Sequence, residues 1–247
     1  MTRTPTVLEL RHVECESPAA YLPGLRAHAE VVTVRTSEEP LPDHRDFDAV
    51  ITMGGPMGVG DRGTLPWIDD ELALLRDAVA VGTPVWGVCL GSQMLAAALG
   101  GQVSRGAVPE VGILDVTLTD AGRADPVWGG LPPTFPVLQW HGDTFTLPPG
   151  AELLATSPAY PNQLFRHGSS YGVQFHLEAD TALATTWLDI PEYRESLEAV
   201  LGPDAVDTFL DALRAVEAPM TQRASRLVDR WLSAHLGVPV GTGEATA

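Results

Sequence analysis

Residues 84–99 read PVWGVCLGSQMLAAAL, and the change of pattern inside that stretch decides the fold class. Pro84 to Val88 is a short apolar run suited to a buried strand. Gly91 to Leu99 is apolar nearly all round, as a buried helix is. The chain must therefore turn sharply at Cys89. That is the geometry of a nucleophile elbow, with cysteine in the place serine takes in G-x-S-x-G. Glycine at 87 and at 91 allows the turn without a Cβ clash. The helix directs free N–H groups and its positive end toward Cys89, which suits a nucleophile that works as an anion. The bland alternative is a cysteine merely buried between a strand and a helix; the flanking glycines favour the elbow.

Outward from that stretch, the first half alternates strands and helices. Val7 to Val13, Val31 to Val34 and Phe47 to Met53 read as strands. Ser17 before Pro18 signals the cap of a helix running to about Ala29. Ile68, Leu72, Leu75 and Val79 recur at helical spacing, with Asp69, Asp70 and Glu71 loading the helix start with negative charge. This alternation predicts an α/β domain around a mainly parallel sheet. The second half predicts an antiparallel extension of that sheet, from Val111 to Leu118, Phe135 to Trp140, Glu152 to Ala155, Gln163 to Arg166 and Tyr171 to His176. After Glu178 the pattern is helical. Val206, Phe209, Leu210 and Leu213 form one apolar stripe, and Ala224, Leu227, Val228, Trp231, Leu232 and His235 another. These helices are expected to cover the sheet, with a homo-oligomer contact as the other use of such a stripe. The expected organisation is a domain over 1–189, a helical extension packed on it over 190–236, and a disordered tail over 237–247.

Composition narrows the chemistry. The 247 residues are 45% hydrophobic and 19% charged, a globular balance, and the formal net charge is −17. All 15 basic residues are arginine, so a Schiff-base lysine and a phosphate-loop lysine are both excluded. So acidic a surface repels phosphate backbones and anionic membranes, so neither nucleic acid nor a membrane is an expected partner. Two cysteines, Cys15 and Cys89, cannot build a disulfide framework or a four-cysteine zinc site. Met1 to Pro5 lacks the basic-then-apolar pattern of a secretion signal, and the expected location is the cytoplasm, where thiols stay reduced.

A cysteine nucleophile needs a base oriented by a third group. The run Tyr171-Gly-Val-Gln-Phe-His-Leu-Glu178 supplies both. In a strand, residues two apart share a face, so His176 and Glu178 are expected to project together with Leu177 turned away. Glu178 would take one imidazole nitrogen and leave the other for Cys89. H-x-E also occurs in zinc deaminases, but this chain lacks their C-x-x-C; a zinc site from His141, Asp143, His176 and Glu178 is conceivable and less well supported. Met53-Gly-Gly-Pro-Met-Gly58 places glycines at a strand end, where the N–H of Gly55 paired with that of Leu90 would form an oxyanion hole. Trp140-His141-Gly142-Asp143 is a further polar cluster, and Cys15 reads as inert.

Four segments together resemble the class I (triad-type) glutamine amidotransferases: MGGPMG at 53–58, GVCLGSQ at 87–93, QWHGD at 139–143 and VQFHLE at 173–178. Their form is most similar to stand-alone members related to the amidotransferase domain of GMP synthase. The resemblance implies a flavodoxin-like sandwich, with Cys89 as nucleophile, His176 as general base and then acid, and Glu178 as orienter. It places the oxyanion at Gly55 and Leu90, and implies substrate contacts at Gln93, His141 and Gln163. The implied substrate is L-glutamine or another γ-glutamyl compound, with no metal and no cofactor. Relatives of this kind deliver ammonia to a synthase, and the segment after Glu178, short and helical, is not expected to be a second catalytic domain. The readings are ammonia supply to a separate synthase subunit, a free-standing γ-glutamyl hydrolase, or a non-catalytic binding protein on this fold.

Overall fold

The computed structural model describes residues 3–239. In chain order the elements are β1 (Thr6–Arg11), α1 (Leu22–Arg26), β2 (Glu30–Arg35), β3 (Ala49–Thr52), α2 (Trp67–Ala80), β4 (Val85–Val88), α3 (Leu90–Ala98), β5 (Val103–Leu118), α4 (Asp120–Ala124), β6 (Thr134–Phe145), β7 (Glu152–Thr156), β8 (Leu164–His167), β9 (Ser170–Val173), α5 (Thr181–Trp187), α6 (Pro191–Leu201) and α7 (Ala205–Leu236).

One nine-stranded sheet runs in the order β2-β1-β3-β4-β9-β8-β7-β5-β6. The first five strands pair parallel. From β9 onward every neighbour is antiparallel. This is the expected flavodoxin-like sheet with its antiparallel extension. Side-chain alternation divides the core between the two faces. Leu8, Leu10, Val50 and Val85 meet α2 and α3 on one face. Val7, Ile51, Trp86 and Val88 meet α1 and α7 on the other. Trp86 is the hub of that second face, stacked on Trp128 at 5.8 Å and touching Trp231 of α7 at 5.5 Å.

Several local expectations change. Ser17 does not cap a helix: a 3-10 turn over Ala19–Tyr21 precedes α1, with no side-chain cap bond. The Ala20 N–H donates instead to the Glu178 carbonyl at 3.2 Å, so a tertiary contact takes the place of the cap. Glu71 is not part of an exposed acidic helix start; it is fully buried, while Asp69 and Asp70 stay outside. The strand expected over Tyr171 to His176 stops at Val173, where pairing with β4 ends. The stripes beginning at Val206 and Ala224 lie on one continuous 32-residue helix that carries Pro219 inside it. Its first half reaches Trp140 through Phe209, ring centroids 5.2 Å apart. Its second half covers Trp86, and Gly237 ends it in the left-handed conformation. Of the expected tail, residues 240–247 lie outside the described residues. No helix among the described residues is long and apolar enough to cross a membrane.

Candidate active site

The elbow is a property of a few consecutive residues. β4 ends at Val88, α3 starts at Leu90, and Cys89 stands between them at φ 50°, ψ −108°. A side chain at that φ is uncommon and is held only where neighbouring contacts fix it. Here the Cys89 N–H donates to the Val173 carbonyl at 2.8 Å, and its carbonyl accepts from the N–H groups of Ser92 and Gln93. A Cβ at Gly91 would overlap the Thr52 carbonyl, and one at Gly87 would fall 2.5 Å from the Gly91 carbonyl oxygen. Only glycine lets β3, β4 and α3 approach this closely. The sulfur lies 3.9 Å from the Trp140 carbonyl and 3.8 Å from Gln174 Nε2.

His176 and Glu178 arrive from an irregular segment beyond β9. Leu138 of β6 pins the His176 backbone in an isolated bridge, with bonds of 2.8 and 3.2 Å. The two side chains meet because the carboxylate turns back, not because a strand pleat aligns them. Glu178 Oε1 lies 2.6 Å from His176 Nδ1, and Oε2 accepts the Leu177 N–H at 3.0 Å. The imidazole packs edge-on against Trp187 of α5, centroids 4.8 Å apart. Burial pulls the basicity of His176 down. The charge of Glu178, a hydrogen bond with Cys89 and the bond to Glu178 more than reverse this, and the ring sits well above its usual value. Imidazole and carboxylate therefore form a bonded pair on the same side of the molecule as the Cys89 sulfur, whose charge also acts on the ring.

The glycine loop after β3 rests on a buried polar support that the sequence did not announce. His12 Nδ1 donates to the Gly54 carbonyl at 2.9 Å, and Nε2 to Glu71 at 3.0 Å. Thr52 Oγ1 also donates to Glu71, and Trp67 stacks on the His12 ring at 5.3 Å. Burial lowers the basicity of His12, but Glu71 and the Gly54 carbonyl raise it by more. Both ring nitrogens face acceptors, in keeping with a charged imidazole. Gly55 ends up beside Leu90, whose Cδ2 would lie 3.2 Å from a Cβ at 55. The Leu90 N–H belongs to the first turn of α3, where a helix provides no acceptor of its own.

Gly55, Cys89, Leu90, Gln93 and His141 line a cavity of about 460 Å³. Its far wall comes from α6, with Tyr193, Ser196 and Val200 among the lining residues. Arg105, Asp61, Asp143 and Glu192 put both signs of charge around it. Gln93 donates to Gln174 at 3.2 Å, and His141 is braced by Glu110 at 3.1 Å and by the Asp143 carbonyl at 2.8 Å. Gln163, expected as a substrate contact, is fully buried behind the cavity. Its amide nitrogen donates to Glu110 at 2.6 Å and its oxygen accepts from Gln139 at 2.9 Å, so both ends are engaged within the protein. It braces Glu110, and through it His141. Burial raises the Glu110 carboxyl, but its bonds to His141, Ser157 and Gln163 bring it below its ordinary value.

Glu16 and Glu110 escaped the sequence reading, and Glu71 was read only as a helix-start charge. In a chain carrying 32 acidic residues, an isolated glutamate reads as solvated surface. The zinc site considered from His141, Asp143, His176 and Glu178 does not assemble among the described residues. His141 turns to Glu110 and His176 to Glu178. Glu16, His176 and Glu178 do bring their donor atoms within 4.8 Å of one another. Within that group His176 is bonded to Glu178, and Glu16 accepts the Tyr193 hydroxyl.

Comparisons with known proteins show which family the chain falls in. A family model described as glutamine amidotransferase class-I matches residues 16–188. The chain is 33% identical to the glutamine amidotransferase-like protein YfeJ of Salmonella typhimurium over 174 residues, covering 68% of this chain and 73% of that one. It is 38% identical to the GMP synthase of a Parafrankia species over 53% of its own length, but spans only 23% of that longer protein. A crystal structure of a glutamine amidotransferase from Thermotoga maritima superposes with a TM-score of 0.81 at 29% identity, covering 96% of this chain and all of that one.

Proposed function

The chain belongs to the class I glutamine amidotransferase family, and from that premise we propose that it hydrolyses the side-chain amide of glutamine through a glutamyl thioester on Cys89. The observation that carries the reading is Cys89 at a sharp strand–helix bend on a cavity, with the His176–Glu178 pair bonded behind it.

The reaction follows from those positions. The Cys89 sulfur attacks the carboxamide carbon, and the oxygen that becomes negative is received by the N–H groups of Gly55 and Leu90, donors worth roughly 3 kcal/mol each. His176 gives its proton to the nitrogen as the C–N bond breaks, and ammonia leaves. A water then loses a proton to His176 and attacks the thioester. The C–S bond breaks, the sulfur is regenerated, and the net change is glutamine plus water to glutamate plus ammonia. Glu178 fixes the ring orientation and balances its charge throughout. Gln93 and His141 contact the glutamyl group, and Gln163 acts through Glu110. The ammonia goes to a separate synthase partner, in keeping with the similarity to GMP synthase.

A second reading, a free-standing hydrolase of γ-glutamyl peptides or amides, is favoured by one observation. The far wall of the cavity is supplied in cis by α6 rather than left for another subunit. Incubation with L-glutamine and a panel of γ-glutamyl compounds, with detection of acyl-Cys89 by mass, separates the two. An adduct with glutamine alone supports the first, and preferential turnover of larger γ-glutamyl compounds the second. No adduct with any of them at reducing neutral pH sinks both.

A further inference from the structure

Glu16 is a buried carboxyl group that the chemistry above does not use. It lies in the loop after β1 and is 3% exposed. Oε1 accepts the Tyr193 hydroxyl of α6 at 2.5 Å. Oε2 is buried with no hydrogen-bond partner, facing Gly54 so closely that a Cβ there would fall 2.7 Å away. Glu16 does not line the cavity, whereas Tyr193 does. Its donor atoms stand within 4.8 Å of those of His176 and Glu178. The ionisable groups around it are His176 and Glu178 from the segment after β9, His12 from the end of β1, Tyr193 from α6, and Cys15 from its own loop.

Resting on the reading under Proposed function, we propose that Glu16 is a positioning residue of this site: held beside the His176–Glu178 pair by Tyr193, it sets the upper pH limit over which His176 can deliver a proton. Two buried carboxylates flanking one imidazolium cannot both ionise without cost, and the proton stays with the less well-solvated of the two. Glu178 has the ring nitrogen and a backbone N–H as partners, whereas Glu16 has one phenol and a bare oxygen. Burial pushes the Glu16 carboxyl up, with the Glu178 charge adding to it, against the pull of His176, Tyr193 and His12. In its ionised form Glu16 puts a second negative charge beside the ring. That charge holds the imidazolium to a higher pH than Glu178 alone would. Because the hydroxyl that steadies Glu16 comes from the cavity wall, occupancy of the cavity is coupled to the charge on the base.

The test is the pH dependence of Glu16→Gln, Tyr193→Phe and the double variant. Two readouts are followed from pH 6 to 10: kcat/KM with L-glutamine, and the NMR titration of the His176 ring. Glu16→Gln is expected to lower the alkaline limit in both by about one pH unit, the low end of what a charge within ~4–6 Å produces. Tyr193→Phe gives a smaller shift in the same direction, and the double variant goes no further than Glu16→Gln alone. A mere packing defect would lower kcat at every pH and leave the limit in place. A limit unmoved in Glu16→Gln, with turnover persisting, overturns the role of Glu16 and leaves the thioester chemistry standing. Should the wild-type protein form no acyl-Cys89, the thioester chemistry falls and the NMR titration alone decides the coupling. If Glu16→Gln does not fold, an unshifted titration in Tyr193→Phe overturns the proposal.

Discussion

The two halves of the site are built by opposite means. Cys89 is shaped mainly by its own stretch of backbone: a strand end, a helix start and two glycines within five residues make the bend, which the Val173 carbonyl then holds. His176 and Glu178 are aimed by long-range contacts. β6 holds the His176 backbone, Ala20 holds the Glu178 carbonyl, and Trp187 of α5 holds the ring. Tyr193 of α6 reaches the pair through Glu16. On the proposed reading Cys89 is a nucleophile placed locally, which tolerates little change of backbone and much change of distant side chain. A base placed from afar has the reverse sensitivity.

That contrast can be broken most directly at the chemistry. Cys89→Ala and His176→Ala should each reduce kcat by roughly 10⁴-fold or more, and the double variant should fall to the same floor, because parts that act as a unit are not additive. A double variant far below either single, in steady-state turnover of glutamine, would mean the two halves act separately. Glu178→Gln comes next. It keeps the shape but presents the wrong hydrogen-bonding pattern to Nδ1, and should cost about 10³-fold in kcat with KM for glutamine little changed. A loss confined to KM would move Glu178 from orienting the base to binding substrate.

Stability sharpens the comparison further. Gly91→Ala drives a methyl into the Thr52 carbonyl and should cost about 1–3 kcal/mol, the range for overpacking, read from the urea midpoint. Trp187→Phe removes the indole bond to the Cys15 carbonyl at 2.9 Å and should cost about 1 kcal/mol, while disturbing the His176 ring more than its size suggests. If Gly91→Ala is the milder of the two in stability, the elbow is less rigid than its contacts imply. The smallest effect expected is a pH dependence from the loop support. His12 is raised in the folded state, so its contribution is fully present below the unfolded histidine value and is lost as pH rises through the folded one. Urea midpoints between pH 6 and 9 should decline more for the wild-type protein than for a His12→Gln, Glu71→Gln double variant. Equal slopes would remove His12 as the source.

The same division explains what could be read from the chain beforehand. The elbow was legible because its causes are consecutive, from the apolar run at 84–88 to the helix at 91–99. The sheet was legible because apolar periodicity survives in isolated windows. The pairing of His176 with Glu178 was expected from strand alternation and arises otherwise, from a carboxylate folding back beyond the end of β9. The burial of Glu16, Glu71 and Glu110 was invisible because nothing in a short window distinguishes a buried acid from a solvated one. Only the partners His12, Tyr193, His141 and Gln163, brought in from other elements, make their burial tolerable.

The positive φ of Cys89 also bears on how this molecule can evolve. Holding a side chain in such a bend costs of order 1–3 kcal/mol, against a net stability for a typical domain of about 5–15 kcal/mol. A comparable part of the margin that would absorb random mutation is thus committed to one residue. Substitutions elsewhere that a relaxed version of the same fold would survive should push this one nearer its threshold, so stabilising changes at positions outside the bend are expected to offset it.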